Sequence, residues 1–305
     1  MSGLVNSDEQ RADGMLVHHV NEGTLWNLPQ WSALPRKDQS TPDFEQVYSA
    51  GFSGLQVYAP NADASKANLS LSGMARILDG TTCDATIAQH KAWGFQATTL
   101  HLGTGFETLD AGKTLVQAVL DASARHSQPV FIETHRATIT QDPARTLDLI
   151  AAFPEMRFNA DLSHWYTGQE MRYGDFEAKL DKLQPFFERV RFMHLRMGHS
   201  CEMQTPLFLL RENQAWEDYC LLWSLCMRGF LNTAEQDERF FAVPELLPAS
   251  VSYQGRLHTI NYARLNDPSN PSSELSDRWL EALELKTLIE SLWLEATNKV
   301  LGPTL

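Results

Sequence analysis

The stretch VFIETHRA, residues 130–137, opens with three apolar residues suited to the inside of a sheet and then places Glu133, Thr134, His135 and Arg136 in succession. A carboxylate beside an imidazole and a guanidinium is costly to bury unless each group has a partner. The cluster therefore marks either a salt-bridged strand end or a working site. Apolar runs of this kind recur along the chain, at 15–20, 54–59, 74–78, 96–103, 129–135, 156–163, 190–196 and 239–245, and alternate with stretches of helical period. That alternation is the sequence form of repeated βα units.

Eight strands with intervening helices predict an α/β fold, a (β/α)8 TIM barrel, in preference to an open doubly wound sheet. No GxGxxG or GxxxxGK[ST] follows an early strand, which removes the main support for a nucleotide-binding alternative. The helices have readable ends. STPDFEQVYSAG (40–51) offers a Ser/Thr cap with Pro42 in the first turn and Gly51 at the end, and QDPARTLDLIAAFP (141–154) offers Asp142 as cap followed by Pro143. Apolar residues at three- and four-residue steps predict helices over 110–126, 173–190 and 213–230, and 275–302 reads as an extra C-terminal helix. Neither a Pro/Gly/Ser linker nor a low-complexity run divides the chain, so residues 1–305 are expected to form one barrel domain, with 262–277 a loop before the last helix.

Composition excludes several classes. With 25 Lys and Arg against 38 Asp and Glu, the formal charge of −13 repels a phosphate backbone, so no nucleic-acid partner is expected. The N-terminus lacks the basic and apolar regions of a signal peptide, and no apolar run approaches the roughly 18 residues of a membrane span. Cys83, Cys201, Cys220 and Cys226 form no CxxC pair. Reduced thiols in a cytoplasmic protein are the expectation. Trp216, Trp223, Trp279 and Trp293 lie at helical spacing in apolar stripes and are read as core or interface; the last helices could supply the face of a homo-oligomer.

In a barrel of this kind chemistry sits at the C-terminal ends of the strands. The late apolar runs close on Glu133, Asp161, His194 and Glu245. Taken singly, each could merely cap a helix or pair with an Arg. Together they would converge at the mouth, and their oxygen and nitrogen donors suit one divalent ion, Mn²⁺ first, with Mg²⁺, Co²⁺ or Zn²⁺ as alternatives.

These residues carry a resemblance. The Glu of VFIETH, the D-x-x-H of ADLSH (Asp161 to His164), the His of VRFMH and the Glu of AVPE, in that order, make the chain resemble the xylose isomerase-like superfamily of sugar and sugar-phosphate isomerases and epimerases. The resemblance spans most of the chain. It implies a (β/α)8 barrel with one divalent metal held by Glu133, Asp161, His194 and Glu245, with Glu133 and Glu245 also the acid/base pair and His164 contacting a substrate oxygen. The chemistry is coherent: a metal that chelates a carbonyl and a neighbouring hydroxyl acidifies the intervening C–H, and a carboxylate on each face can remove and return the proton. One departure follows the seventh strand, where HLRMGHS supplies Arg196 and His199 in place of an acidic or small polar residue. Extra cations suit a carboxylate, phosphate or enolate oxygen.

The leading expectation is thus a metal-dependent isomerase or epimerase acting on a carbohydrate. The alternative is a lyase or dehydratase that begins with the same proton removal and expels water or an aglycone. His101, closing the fourth strand, and His135, on the same face as Glu133, are further candidates for the substrate pocket. Arg136 is expected to pair with an acidic residue outside it. His18 and His19 cannot both point inward, and Trp26, Trp31 and Trp165 are candidates for stacking on a sugar ring. Metal-dependent phosphodiester cleavage is disfavoured by the charge, and nucleophilic hydrolysis by the absence of a G-x-S-x-G turn or an ordered Cys–His pair. A barrel that has lost catalysis and only binds a sugar or a protein is the non-enzymatic alternative.

Overall fold

The computed structural model describes residues 15–38, 41–253, 255–270 and 272–301. Among them, eight parallel strands close into a barrel: β1 (Leu16–Asn21), β2 (Gly54–Val57), β3 (Ser70–Ile77), β4 (Thr98–Leu102), β5 (Val130–Glu133), β6 (Phe158–Ala160), β7 (Val190–Leu195) and β8 (Phe240–Pro244). β8 pairs back onto β1 in the register Leu16–Phe240 to His18–Ala242. All eight predicted strands are present. β3 begins earlier than expected, at Ser70, because Ser70 and Ser72 point into the barrel, where the hydroxyls bond His19, so this polar start does not read as a strand.

Side-chain alternation builds the interior in tiers. Phe131, Phe192 and Phe241 plug the lower barrel, the last two stacked with ring centroids 5.3 Å apart. Two residues further along each of these strands the side chains become polar or small: Glu133, His194 and Val243, then Arg196 and Glu245. His19 also belongs low in the barrel, where its ring lies so close to Gly54 that a Cβ there would come within 2.2 Å of Nε2. It does not reach the mouth, and His18 pairs with Glu290 instead.

Most helices form as the sequence indicates. Asp142 caps Pro143–Ala152, its side chain accepting from the Arg145 N–H at 2.7 Å. Two expectations are corrected. The helix Phe44–Ser49 is capped by Asp43, and Pro42 precedes it, pairing with Arg36 in a lone bridge. Ser40 lies outside the described residues. Residues 173–190 hold two short helices, Phe176–Lys182 and Gln184–Phe187, because Pro185 lacks the N–H needed to continue the first. Trp223, Trp279 and Trp293 are buried as expected, and so is Trp165, whose indole N–H donates to the Thr140 carbonyl at 2.8 Å. Trp165 is core, not a stacking platform. After β8 an antiparallel hairpin that the sequence did not signal, β9 (Ser250–Tyr253) and β10 (Arg256–Thr259), leads into a strap that crosses the mouth before the closing helix Arg278–Leu301. No helix of the described residues is long and apolar enough to cross a membrane.

The closing helix carries a buried acid. Glu281 accepts from the Leu207 N–H at 2.8 Å, and burial raises its carboxyl to about 7 against that hydrogen bond. The folded protein thus retains a proton that the unfolded chain releases near its ordinary value, so stability should fall as pH rises between about 4.5 and 7, by roughly 3 kcal/mol at most. Denaturant midpoints across that range should show a fall that Glu281→Gln removes; an unchanged slope in the variant would assign the effect elsewhere.

Candidate metal centre

The four strand-end residues converge. His194, on β7, places Nδ1 3.7 Å from Glu133 Oε1, 3.8 Å from Asp161 Oδ2 and 3.4 Å from Glu245 Oε2. All four side chains are buried or nearly so. Each is presented by the barrel: Glu133 ends β5, Asp161 follows β6, and Glu245 follows β8. Asp161 also caps the helix Leu162–Gly168, so its Oδ1 accepts from the Ser163 N–H at 3.1 Å and Oδ2 is left facing His194.

A polar tier beneath orients these groups. Gln56 on β2 donates through Nε2 to Thr99 Oγ1 at 2.9 Å, which turns its Oε1 towards His194 Nε2, also at 2.9 Å. With Nε2–H engaged there, Nδ1 is the nitrogen that meets the carboxylates, the arrangement that metal-binding imidazoles commonly require. Asn159 donates to Glu133 Oε2 at 2.9 Å, and Asn21 donates to Glu245 Oε1 at 3.2 Å.

On the Glu133 side, Arg76 Nη2 donates to His101 Nδ1 at 3.1 Å. Since a guanidinium can only donate, Nδ1 must accept, and the proton on Nε2 points at Glu133 Oε1, 2.9 Å away. His101, His135 and His164 form a file, with successive ring centroids 4.0 Å apart. His101 and His135 line a cavity of about 100 Å³ at the mouth with Glu133, Arg196 and Glu245, roofed by Ile260 and Tyr262 of the strap. His164 lies deeper, with Nε2 3.4 Å from Asp161 Oδ2. Arg196 bonds Asp161 Oδ2 and lies 3.1 Å from Glu245 Oε2.

His199 is not brought to this cluster. Its ring is partly exposed and pairs with Glu202 at 3.4 Å. Four residues beyond the strand, the chain has already turned out of the barrel through the bridge between these two residues. Among the described residues Arg136 pairs with no acid; its Nη2 donates to the Tyr262 hydroxyl at 3.0 Å. Trp26 lines the mouth cavity, whereas Trp31 is exposed. Arg76, Gln56 and Asn159 were missed, although a lone polar residue at alternate positions of an apolar strand, as in MARIL or RFNAD, is the signal that would have found them. Tyr262 carried no such signal.

Charge explains the titration pattern. Burial alone would raise Glu133, but the hydrogen bond from His101 Nε2–H and the charge of His194 outweigh it and hold the carboxyl well below its usual range. Burial opposes the Asp161 anion too, and Arg196, His164 and His194 overcome it. Glu245 goes the other way, raised by burial that His194 and Arg196 only partly offset. Burial also disfavours protonated His194, yet the carboxylates of Glu245, Glu133 and Asp161 raise it to about 9. His135 is pushed down to about 3, chiefly by burial.

The donor set fits a hard divalent ion. Ligand atoms of Asp161, His194 and Glu245 all lie within 4.8 Å of one another, and Glu133 forms similar groups with Asp161 and His164 and with His101 and His135. The last group is unsuited to a second ion, because Arg76 keeps a proton on the His101 nitrogen that would bind it. A larger cavity of about 650 Å³ opens at the opposite end of the barrel among Val17, Ser53, Ser70, Gln96 and Arg239, and no residue of these clusters lines it.

No family model matches the sequence, and no curated protein matches it. Solved structures share its (β/α)8 barrel fold. A D-tagatose 3-epimerase-like protein is 11% identical over 94% of this chain and 100% of its own, with a TM-score of 0.53. A D-allulose 3-epimerase from Methylomonas sp., in complex with D-allulose, is 11% identical over 92% and 97%, at 0.52. A xylose isomerase-like TIM barrel protein from Mycobacterium smegmatis, in complex with magnesium, is 10% identical over 94% and 99%, at 0.52.

A metal takes only the neutral ring, so if His194, raised to about 9, is a ligand, binding of a divalent ion such as Mn²⁺ would release about one proton and tighten with rising pH up to about 9. Calorimetry in buffers of different ionisation enthalpy measures this directly; uptake without proton release would remove His194 from the ligand set.

Proposed function

We propose that the chain is a divalent-metal-dependent isomerase or epimerase acting on a sugar or sugar derivative. The observation that carries this reading is the placement of Glu133, Asp161 and Glu245 around the single nitrogen Nδ1 of His194 at a barrel mouth. A divalent ion held there, Mn²⁺, Mg²⁺, Co²⁺ or Zn²⁺, would polarise a substrate carbonyl and its neighbouring hydroxyl and so acidify the C–H between them. The chain's own groups move the proton. Glu133, kept anionic by His101 and oriented by Asn159 and the His101 Nε2–H, is the base. Glu245, raised by burial, is the partner that holds or returns a proton, and environments that push two carboxyls apart are what such a pair needs. His135 is the imidazole closest to hand for a substrate oxygen, and Trp26 with Tyr262 shields the site from water. The solved D-allulose complex of the same fold agrees with a carbohydrate substrate.

A second reading, elimination of water or an aglycone by a lyase or dehydratase, is favoured by Arg196. Its guanidinium borders the mouth cavity, where it can receive the charge of an enolate. His199, partnered elsewhere, takes no part in either reading.

Elemental analysis of purified protein should find about one equivalent of divalent metal in the wild type and little in Glu133→Gln. With Mn²⁺ supplied, C–H exchange into a panel of sugars and keto-sugars in deuterated solvent should fall on the order of a hundredfold or more in that variant. An enone absorbing in the ultraviolet identifies elimination. Wild-type protein that takes up no metal and exchanges no C–H with any member of the panel overturns both readings.

A further inference from the structure

Arg196 stands where a cation bound by the carboxylates would stand. Its Nη2 bonds Asp161 Oδ2, and its Nη1 lies 3.1 Å from Glu245 Oε2. These are the same two oxygens that face His194 Nδ1, at 3.8 and 3.4 Å. The other oxygen of each carboxylate is already committed: Asp161 Oδ1 to the N–H and hydroxyl of Ser163, and Glu245 Oε1 to Asn21. An ion held by Asp161, His194 and Glu245 would therefore draw on the atoms that the guanidinium holds. Such an ion would sit beside a second positive charge in a place largely closed to water.

The side chain is also held unevenly. Nε donates to Ser163 Oγ at 3.1 Å, but Nη1, though buried, makes no well-directed hydrogen bond among the described residues and is kept at Glu245 by charge. Next to the guanidinium lies the mouth cavity, with the Tyr262 ring centroid 5.0 Å from its central carbon.

Resting on the metal-dependent reading above, we propose that Arg196 is a tethered counter-cation that holds Asp161 and Glu245 in the metal-free protein and is displaced by the entering metal. The displaced guanidinium moves into the mouth cavity against the face of Tyr262, where it meets a negatively charged oxygen of the substrate. One residue thus keeps the ligand carboxylates in place before metal binds and recognises substrate charge afterwards.

Calorimetric titration of Mn²⁺ into wild-type protein and Arg196→Met tests this. Removing the competing cation should tighten metal binding at least about tenfold, while the metal-free variant melts lower than wild type and recovers with Mn²⁺. Equal or weaker binding in the variant overturns the inference and leaves the metal-dependent reading intact. No binding by either protein overturns both. Should Arg196→Met fail to fold, the wild type decides: the Nε–H resonance of Arg196, assigned with Arg196→Lys, should shift and lose its protection from solvent exchange as Mg²⁺ saturates the site. A resonance unchanged at saturation overturns the displacement.

Discussion

The mouth of this barrel is organised by one constraint: Glu133, Asp161 and Glu245 are gathered around one imidazole at relative exposures of 2%, 0% and 9%. Three carboxylates in so small a space repel one another and lose most of their hydration, so each neighbour has to supply a proton or a positive charge. Asn159, Asn21, Ser163 and His101 all donate to them, and Arg196 and His194 bring the charge. Even Gln56, which touches none of the three, serves the cluster by fixing which nitrogen of His194 turns towards it.

This explains why part of the site could be read directly and part could not. A strand points alternate side chains inward, so an apolar run such as FIE or FMH shows which residue reaches the barrel mouth, and the positions of Glu133, Asp161, His194 and Glu245 follow from that periodicity. It carries as far as Arg196, two residues beyond His194, and fails at His199, where the chain has left the strand. The supporting groups were less visible because they come from the early strands, where Gln56 and Arg76 interrupt apolar runs without closing them. Tyr262 and the hairpin before it belong to a segment whose position is set by what it covers, and local sequence does not encode that.

Void volume and chemistry occupy opposite ends of the barrel. The large cavity lies where the strands begin, among Val17, Ser53, Ser70, Gln96 and Arg239. The small one lies where they end, compressed by the strap and by Tyr262, which is held between Arg136 and Arg196. A cavity of about 100 Å³ admits only a small part of a sugar. A whole sugar would enter only if a wall of the cavity moved, and Ile260 and Tyr262 of the strap are the part of that wall that lies outside the barrel strands.

The fold itself does not hang on an ion. The plug formed by Phe131, Phe192 and Phe241 and the buried helix faces close the barrel beneath the polar tier without help from the carboxylates. At the mouth, Arg196 and protonated His194 bring two positive charges, the same number that a divalent ion brings when the imidazole is neutral and the guanidinium has withdrawn. On the displacement proposed above, metal loading would exchange one source of positive charge for another beside the buried carboxylates. Small zinc domains lack such a substitute and unfold when the ion is removed. Here Arg196 and His194 supply the positive charge that the carboxylates need, so the cluster has a counter-cation built from the chain itself.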